Sequence, residues 1–215
     1  MNTTIITSIF LCLLIAVPAE GQDVPPSSGD PGEHLFSSRR FSVSTSYLSL
    51  MNFGEEKTNT HHYEVHIKYH LTPKDKIGIK AATWKLFAPM GIQFWEPEFL
   101  QEGSFFPGRL RESGIGVSYQ RLLCGGLFAS VEVLPLYKTY LDEGNNIVGH
   151  GFKLYTTAHL GYHFFLLDGA MFIEPQVHCN YWPIDTNVPP AFKEAENRWG
   201  NIFLFEPNIY LGFNL

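Results

Sequence analysis

From Phe41 onward, apolar and polar residues alternate nearly one for one, the period of a half-buried strand and not of a helix. The clearest stretch runs from Tyr63 to Leu71. There Tyr63, Val65, Ile67, Tyr69 and Leu71 share one face, and Glu64, His66, Lys68 and His70 share the other. The final stretch repeats the pattern, with Phe203, Phe205, Pro207, Ile209, Leu211, Phe213 and Leu215 opposite Leu204, Glu206, Asn208, Tyr210, Gly212 and Asn214. Alternation also marks residues 41–53, 76–87, 115–123, 127–139, 152–165 and 170–181, which makes eight strands in all. No run of period 3.6 exceeds two turns.

The connections between these strands carry as much information as the strands. Three are tight: Thr72-Pro-Lys-Asp75, Cys124-Gly-Gly126 and Leu166-Leu-Asp-Gly169, where Gly supplies positive φ or Pro fixes the first turn residue. Four are long: 54–60, 88–114, 140–151 and 182–201. Long and short alternate, beginning and ending with a long one. An even-stranded transmembrane barrel with both termini on one side of the membrane has this order of short turns and longer external loops.

Ahead of the strands, Ile5 to Val17 form a 13-residue apolar run followed by Pro-Ala-Glu-Gly, the layout of a secretory signal peptide. The run is short for a membrane-spanning helix. Cleavage after Ala19 or after Gly21 fits, and the latter leaves Gln22 as the mature N-terminus; the absence of Lys or Arg from Met1-Asn-Thr-Thr departs from the usual pattern. Residues 22–40, rich in Pro, Gly, Ser and charge, read as a disordered leader. The expected organisation is therefore a signal peptide over 1–21, a leader over 22–40 and a barrel over 41–215. Cleavage leaves Cys124 and Cys179; Cys179 has the outward parity of Val177 and Tyr181, so free apolar thiols are expected and not a disulfide.

Composition narrows the class further. Of 215 residues, 45% are hydrophobic and 17% charged, which excludes a disordered chain. A formal net charge of −6 argues against nucleic-acid binding. Mean hydropathy of −0.05 argues against a helical membrane protein.

The signal peptide, the eight strands, the alternating connections and the last strand, Ile209-Tyr-Leu-Gly-Phe-Asn-Leu215, resemble the small bacterial outer-membrane β-barrels, similar in plan to the OmpA, OmpX and OmpW barrel domains. The pieces Phe-Ile-Glu-Pro (172–175) and Leu-Phe-Glu-Pro (204–207) resemble uncharacterised barrels of Bacteroidota. The resemblance covers residues 41–215. It implies an outer-membrane location, lipid as surrounding partner, and insertion by the barrel-insertion machinery, which in that class reads a last strand commonly ending in an aromatic. Here Leu215 ends the chain and Phe213 stands two before it.

The residues also separate a membrane barrel from a soluble one. Placed inside an eight-stranded lumen, the alternating Val, Ile, Tyr and Phe side chains would overfill it, because such a barrel holds only packed side chains or one small ligand. Facing lipid, they form an apolar band. Tyr63, Tyr137 and Tyr181 then fall near loop ends and Tyr69, Tyr162 and Phe213 near turn ends, as two interfacial girdles require. Pro135, Pro175 and Pro207 fall within strands, each removing a ladder hydrogen bond, so bulges or local breaks are expected there. The expected fold is all-β, an eight-stranded antiparallel up-and-down transmembrane β-barrel.

Inward parity assigns a lumen ion-pair cluster of Lys68, Lys80, Glu132, Glu174 and Glu206 at similar mid-height, with His66, His159 and His178 nearby. Carboxylates in a narrow lumen must satisfy one another, a counter-charge or water. A plug of ion pairs is the expected reading. His66, His159, His178 and Glu174 lack diagnostic metal-ligand spacing, and His62, His66 and His70 lie about 13 Å apart at four-residue steps along a strand, too far to share an ion. No metal and no cofactor are expected.

No enzyme is expected either: Ser118 and Ser130 point inward, and Ser49 has no outward His beside it. Binding candidates lie in the external loops: Phe94, Trp95, Phe99, Phe105, Phe106, Arg109 and Arg111 in 88–114, and Trp199 beyond a short helix in PPAFKEAENRW, with the two loops packing together. The expected function is structural, or surface binding of an envelope or extracellular ligand, with a small-solute channel and a secreted lipocalin-like carrier as the alternatives.

Overall fold

The structure is a computed structural model that describes residues 39–50, 52 and 58–215. The expected signal peptide and nearly all of the leader lie outside the described residues. Nine strands follow in chain order: β1 (Phe41–Ser46), β2 (Tyr63–His70), β3 (Asp75–Leu86), β4 (Arg109–Cys124), β5 (Leu127–Leu141), β6 (Ile147–Tyr162), β7 (Phe164–Leu166), β8 (Met171–Asp185) and β9 (Ile202–Asn214). Among the described residues, short 3₁₀ turns occupy Tyr47–Leu50 and Glu102–Ser104, and one helix, α1 (Pro190–Asn197), precedes β9.

Every strand pairs antiparallel with its neighbour, and β9 pairs with β1 (Val43 opposite Phe213), so the sheet closes on itself. Strands β6 and β7 both pair with β8 in one register, Gly161 opposite Gln176 and Phe164 opposite Ile173. They form a single stave interrupted at His163, and the barrel has eight staves. The lapsed positions are Tyr162 opposite Pro175, which has no N–H to give the ladder, and His163 opposite Glu174. Pairing of β4 with β5 likewise lapses between Gly114–Leu136 and Val117–Val133, opposite Pro135, without a change of register. The third proline, Pro207, lies beside a register shift between His178 and Asn180, where Phe205 takes φ +57°. Close approach compensates at the β4 break: a Cβ at Gly116 would lie 2.3 Å from the Val133 carbonyl oxygen, so only glycine fits.

Polarity across the wall is inverted relative to a soluble protein. Outward-facing Ile79 and Ile115 are 59% and 68% exposed, whereas inward-facing Glu132 and Glu174 are 2% and 1% exposed. The outward face continues around the ring through Val65, Ile67, Val117, Val133, Val177 and Ile209. Apolar surface on this scale is unfavourable in water by about 25 cal/mol per Å² and is satisfied in hydrocarbon. The chain folds as a transmembrane β-barrel. Its outward aromatics Tyr63, Tyr137 and Tyr181 stand toward the loop ends, and Tyr69, Tyr162 and Phe213 toward the turns. Cys124 and Cys179 are free thiols.

The turns take the conformations their residues favour. Gly125 and Gly126, at φ +53° and +98°, make the two-residue turn between β4 and β5, a twist that matches the flanking strands. Strand ends differ more from expectation. Strand β4 begins at Arg109 and not at 115, and the expected long connection 140–151 contracts to residues 142–146. Above the apolar band the outward positions become Arg111, Ser113, Thr139 and His150, so the alternation that marks a strand in lipid disappears while the ladder continues. The first strand is shorter than expected: β1 stops at Ser46, where the chain turns into the 3₁₀ segment.

Candidate functional site

Lysines and carboxylates fill the lumen in three tiers. Nearest the turns, Glu174 on β8 accepts hydrogen bonds from Lys68 Nζ (3.2 Å) and Gln120 Nε2 (2.9 Å), and lies 2.6 Å from His163 Nδ1. Lys68 Nζ also donates to Gln120 Oε1 at 2.5 Å. In the middle tier, Lys80 Nζ sits 2.9 Å from Glu64 Oε2, 3.0 Å from Glu132 Oε1 and 3.1 Å from the Tyr210 hydroxyl. Around it, His66 Nε2 and Ser118 Oγ are 2.7 Å apart, the His159 and His178 rings meet at 4.3 Å, and Glu206 accepts from Asn180 Nδ2 at 2.7 Å.

The third tier lies toward the loops. Glu112 accepts from Trp84 Nε1 at 2.7 Å and pairs with Lys153 at 2.7 Å, while Lys138 pairs with Asp185. Apolar packing surrounds these charges: Leu134, Leu136 and Trp84 are buried with Tyr155 and Trp182, whose rings stack at 6.1 Å. Between the lower and middle tiers lies a cavity of about 10 Å³ beside His66, Ser118, Glu132 and His159, room for one water molecule. The Ser118–His66 contact is a nucleophile–base geometry, but it faces this cavity, which has no space for a substrate. Among the described residues no group of His, Cys, Asp or Glu is arranged to hold a metal ion.

The eight expected lumen residues thus do not form one cluster. Lys68 pairs with Glu174 in the lower tier, Lys80 with Glu132 in the middle, and Glu206 turns to Asn180, with His178 Nδ1 3.9 Å away. Strand tilt in a closed barrel staggers residues counted down from the loop ends, so equal counts are not equal heights. His66 bonds Ser118, the His159 and His178 rings meet edge to face, and none of the three enters the ion pairs with lysine.

Outside the lumen, α1 caps the mouth. Proline at its first turn suits the helix start, and Phe192 is 1% exposed between Tyr140 and Phe106, at ring distances of 4.9 and 5.3 Å. The 87–108 segment meets α1 and its flanks, as expected, through Phe106–Phe192 and through Arg198 with Glu98 at 3.4 Å. The eight loop candidates divide, however. Phe106 is buried in the cap, Phe105 packs edge-on against Phe87 at 4.8 Å, and Arg109 donates to the carbonyls of Asn59 and Lys85. Arg111 is exposed on β4 and not in a loop, because the strand extends past it; Trp199 is half-buried under the Arg198 guanidinium. Phe94, Trp95 and Phe99 remain exposed.

Between the 87–108 segment, the β5–β6 hairpin and α1 lies an external cleft of about 1000 Å³, walled by Phe105, Phe106, Arg109, Asp142, Glu194 and Arg198. Hydrogen bonds from the side-chain amide and backbone N–H of Asn146 hold the Asp142 carboxyl below its usual range, so the rim carries a fixed negative charge. Burial pushes the Glu196 carboxyl up, under the cap.

No family model matches the chain, and no curated protein does. Among solved structures the chain resembles the crystal structure of Neisserial surface protein A, at 9% sequence identity and a TM-score of 0.46, over 81% of this chain and 93% of that one. The fold class stands on the closed ring and its inverted polarity.

Sequence reasoning omitted Glu64, Glu112, Gln120, Lys138, Lys153, His163 and Asp185 from the lumen set. Parity alone marks Glu64 and His163 as inward, since they precede His66 and follow His159 by even steps. Glu112 and Asp185 fell in expected loops, beyond the reach of alternation.

Proposed function

We propose that the protein is an outer-membrane barrel whose lumen is plugged, serving a structural or surface-binding role through its external cap and cleft, without catalysis of its own. The observation that carries this reading is the lumen: three tiers of ion pairs with apolar packing around the uppermost, and a cavity of about 10 Å³ between the lower two. An apolar-cored carrier does not suit a polar, filled interior. Export through a signal peptide, insertion by the barrel machinery and a ligand held in the cleft between the 87–108 segment and α1 belong to the same proposal. Its lining, with aromatic walls and charges of both signs, suits a polar ligand or peptide with an apolar part better than a purely anionic one.

Planar-bilayer recording tests the plug. The purified full chain is expected to give no steady conductance at neutral pH. Steady ion-selective currents that change on Glu174→Gln would overturn the plug in favour of a small-solute channel.

A further inference from the structure

Strand β1 leaves a notch in the wall. It has six residues against thirteen in β9, and its last pair is Ser46 with Tyr210, so among the described residues β9 continues toward the loops beyond its pairing with β1. In lipid an open strand edge has no water to bond, and such edges are filled or covered. Among the described residues, one side-chain amide bonds each flank of this one. Gln93 Nε2 donates to the Ile202 carbonyl at 2.6 Å while its Oε1 accepts from Leu204 N–H at 2.8 Å, taking the place of a strand residue along β9. On the other flank Asn52 makes the same two-way bond to the backbone of His62, at 2.7 Å each.

Gln93 thereby pins the residues that follow it onto the outer wall. Phe94 and Trp95 are each 49% exposed and pack edge to face at 4.7 Å, and the Trp95 ring lies 6.5 Å from that of Phe205. Phe205 itself is exposed on the outward face of β9, in line with Ile209 and Phe213. The aromatic surface of this segment is therefore continuous with the lipid-facing band. Part of its backbone is satisfied locally: the N–H groups of Glu96, Phe99 and Gln101 each bond the carbonyl three residues back. Of the two acidic groups in the segment, Glu98 pairs with Arg198, just past the C-terminal end of α1.

Four staves carry an outward aromatic near the loop end, Tyr63 on β2, Tyr137 on β5, Phe152 on β6 and Tyr181 on β8, whereas β3 and β4 present Thr83, Lys85, Arg111 and Ser113 there. β1 ends at Ser46, and Tyr47 after it lies half-buried in the 3₁₀ segment. We infer that residues 94–100 are not a solvent-facing recognition patch but one sector of the outer aromatic girdle, a loop-borne anchor seated in the interfacial layer of the membrane lipid. The inference rests on the transmembrane reading of the barrel.

The test is tryptophan fluorescence of the full chain reconstituted in phosphatidylcholine vesicles, with bromine placed either near the glycerol or near the middle of the acyl chains. The Trp95 contribution is the difference between the natural chain and Trp95→Phe. It is expected to be quenched about twofold more strongly by the shallow bromine than by the deep one, and shielded from aqueous iodide, as for an interfacial indole. Quenching by iodide with no response to brominated lipid would overturn the inference. Ile79→Trp, made in the Trp95→Phe background, reports the middle of the apolar band. Quenched by deep bromine, it isolates a failure to the loop; unquenched, it refutes the membrane reading and the anchor with it.

Discussion

Replacing Lys80 with methionine is expected to destabilise the barrel by about 3 to 5 kcal/mol, the cost of leaving a buried ion cluster without its counter-charge. Lys80 is 5% exposed and its ammonium serves both Glu64 and Glu132, whose carboxylates are themselves buried. Methionine keeps the length and bulk of the side chain while removing the charge, so both acids are stranded. The intact cluster itself contributes little net stability, because the attraction mainly offsets the desolvation of its members. The combination Lys80→Met, Glu64→Gln and Glu132→Gln should therefore recover most of the loss. Urea titration in detergent micelles, read by the fraction running as the folded, heat-sensitive band, measures both. An unchanged midpoint in Lys80→Met would mean that the ion pairs are not desolvated. The exposed Arg198–Glu98 pair provides the contrast, worth under about 1 kcal/mol.

The second large effect lies in the cap. Phe192→Ala removes a ring that is 1% exposed and packed on Tyr140 and Phe106, with Leu110 beneath. A Phe-to-Ala change of this kind costs about 3 to 5 kcal/mol, roughly a hundredfold or more in the equilibrium that frees α1. Because α1 joins no ladder of the sheet, the loss should stay local. Limited proteolysis is expected to cut the 186–201 segment rapidly in the variant while the folded, heat-sensitive barrel persists. Equal cleavage in both proteins would show that Phe192 does not hold the cap.

How far the sequence discloses this structure depends on what surrounds each segment. Within the membrane each strand faces lipid on one side and a polar lumen on the other, so parity is written into the residues: Val65, Ile67 and Ile79 out, Glu64, Lys68 and Lys80 in. Outside the membrane that constraint ends. Arg109 to Ser113 and Ile147 to Gly151 remain in the ladder without alternating, and read as loop. The prolines were legible as faults, and each does coincide with a break or bulge, since a missing N–H disrupts pairing wherever it falls.

Partnership within the lumen was less legible. Inward parity identifies Lys68, Lys80, Glu132 and Glu174, but which acid meets which lysine depends on the stagger between staves that do not touch in sequence: Lys68 reaches Glu174 across 106 positions, and Lys80 reaches Tyr210 across 130. The loop candidates show the same limit. Phe94 and Phe106 have similar composition around them, yet one lies exposed beside Trp95 and the other is buried by Phe192. Gln93 gave no signal at all, because a side chain acting as a strand residue has no sequence signature.

The membrane-spanning barrel itself is tested most directly by fractionating cells that express the full chain, extracting the membranes with alkaline carbonate, and comparing unheated and boiled samples on a gel. A closed barrel with this inverted polarity will sediment with the outer membrane, resist extraction and migrate faster before boiling than after. A product found wholly in the soluble fraction, with no heat-dependent shift, would contradict it.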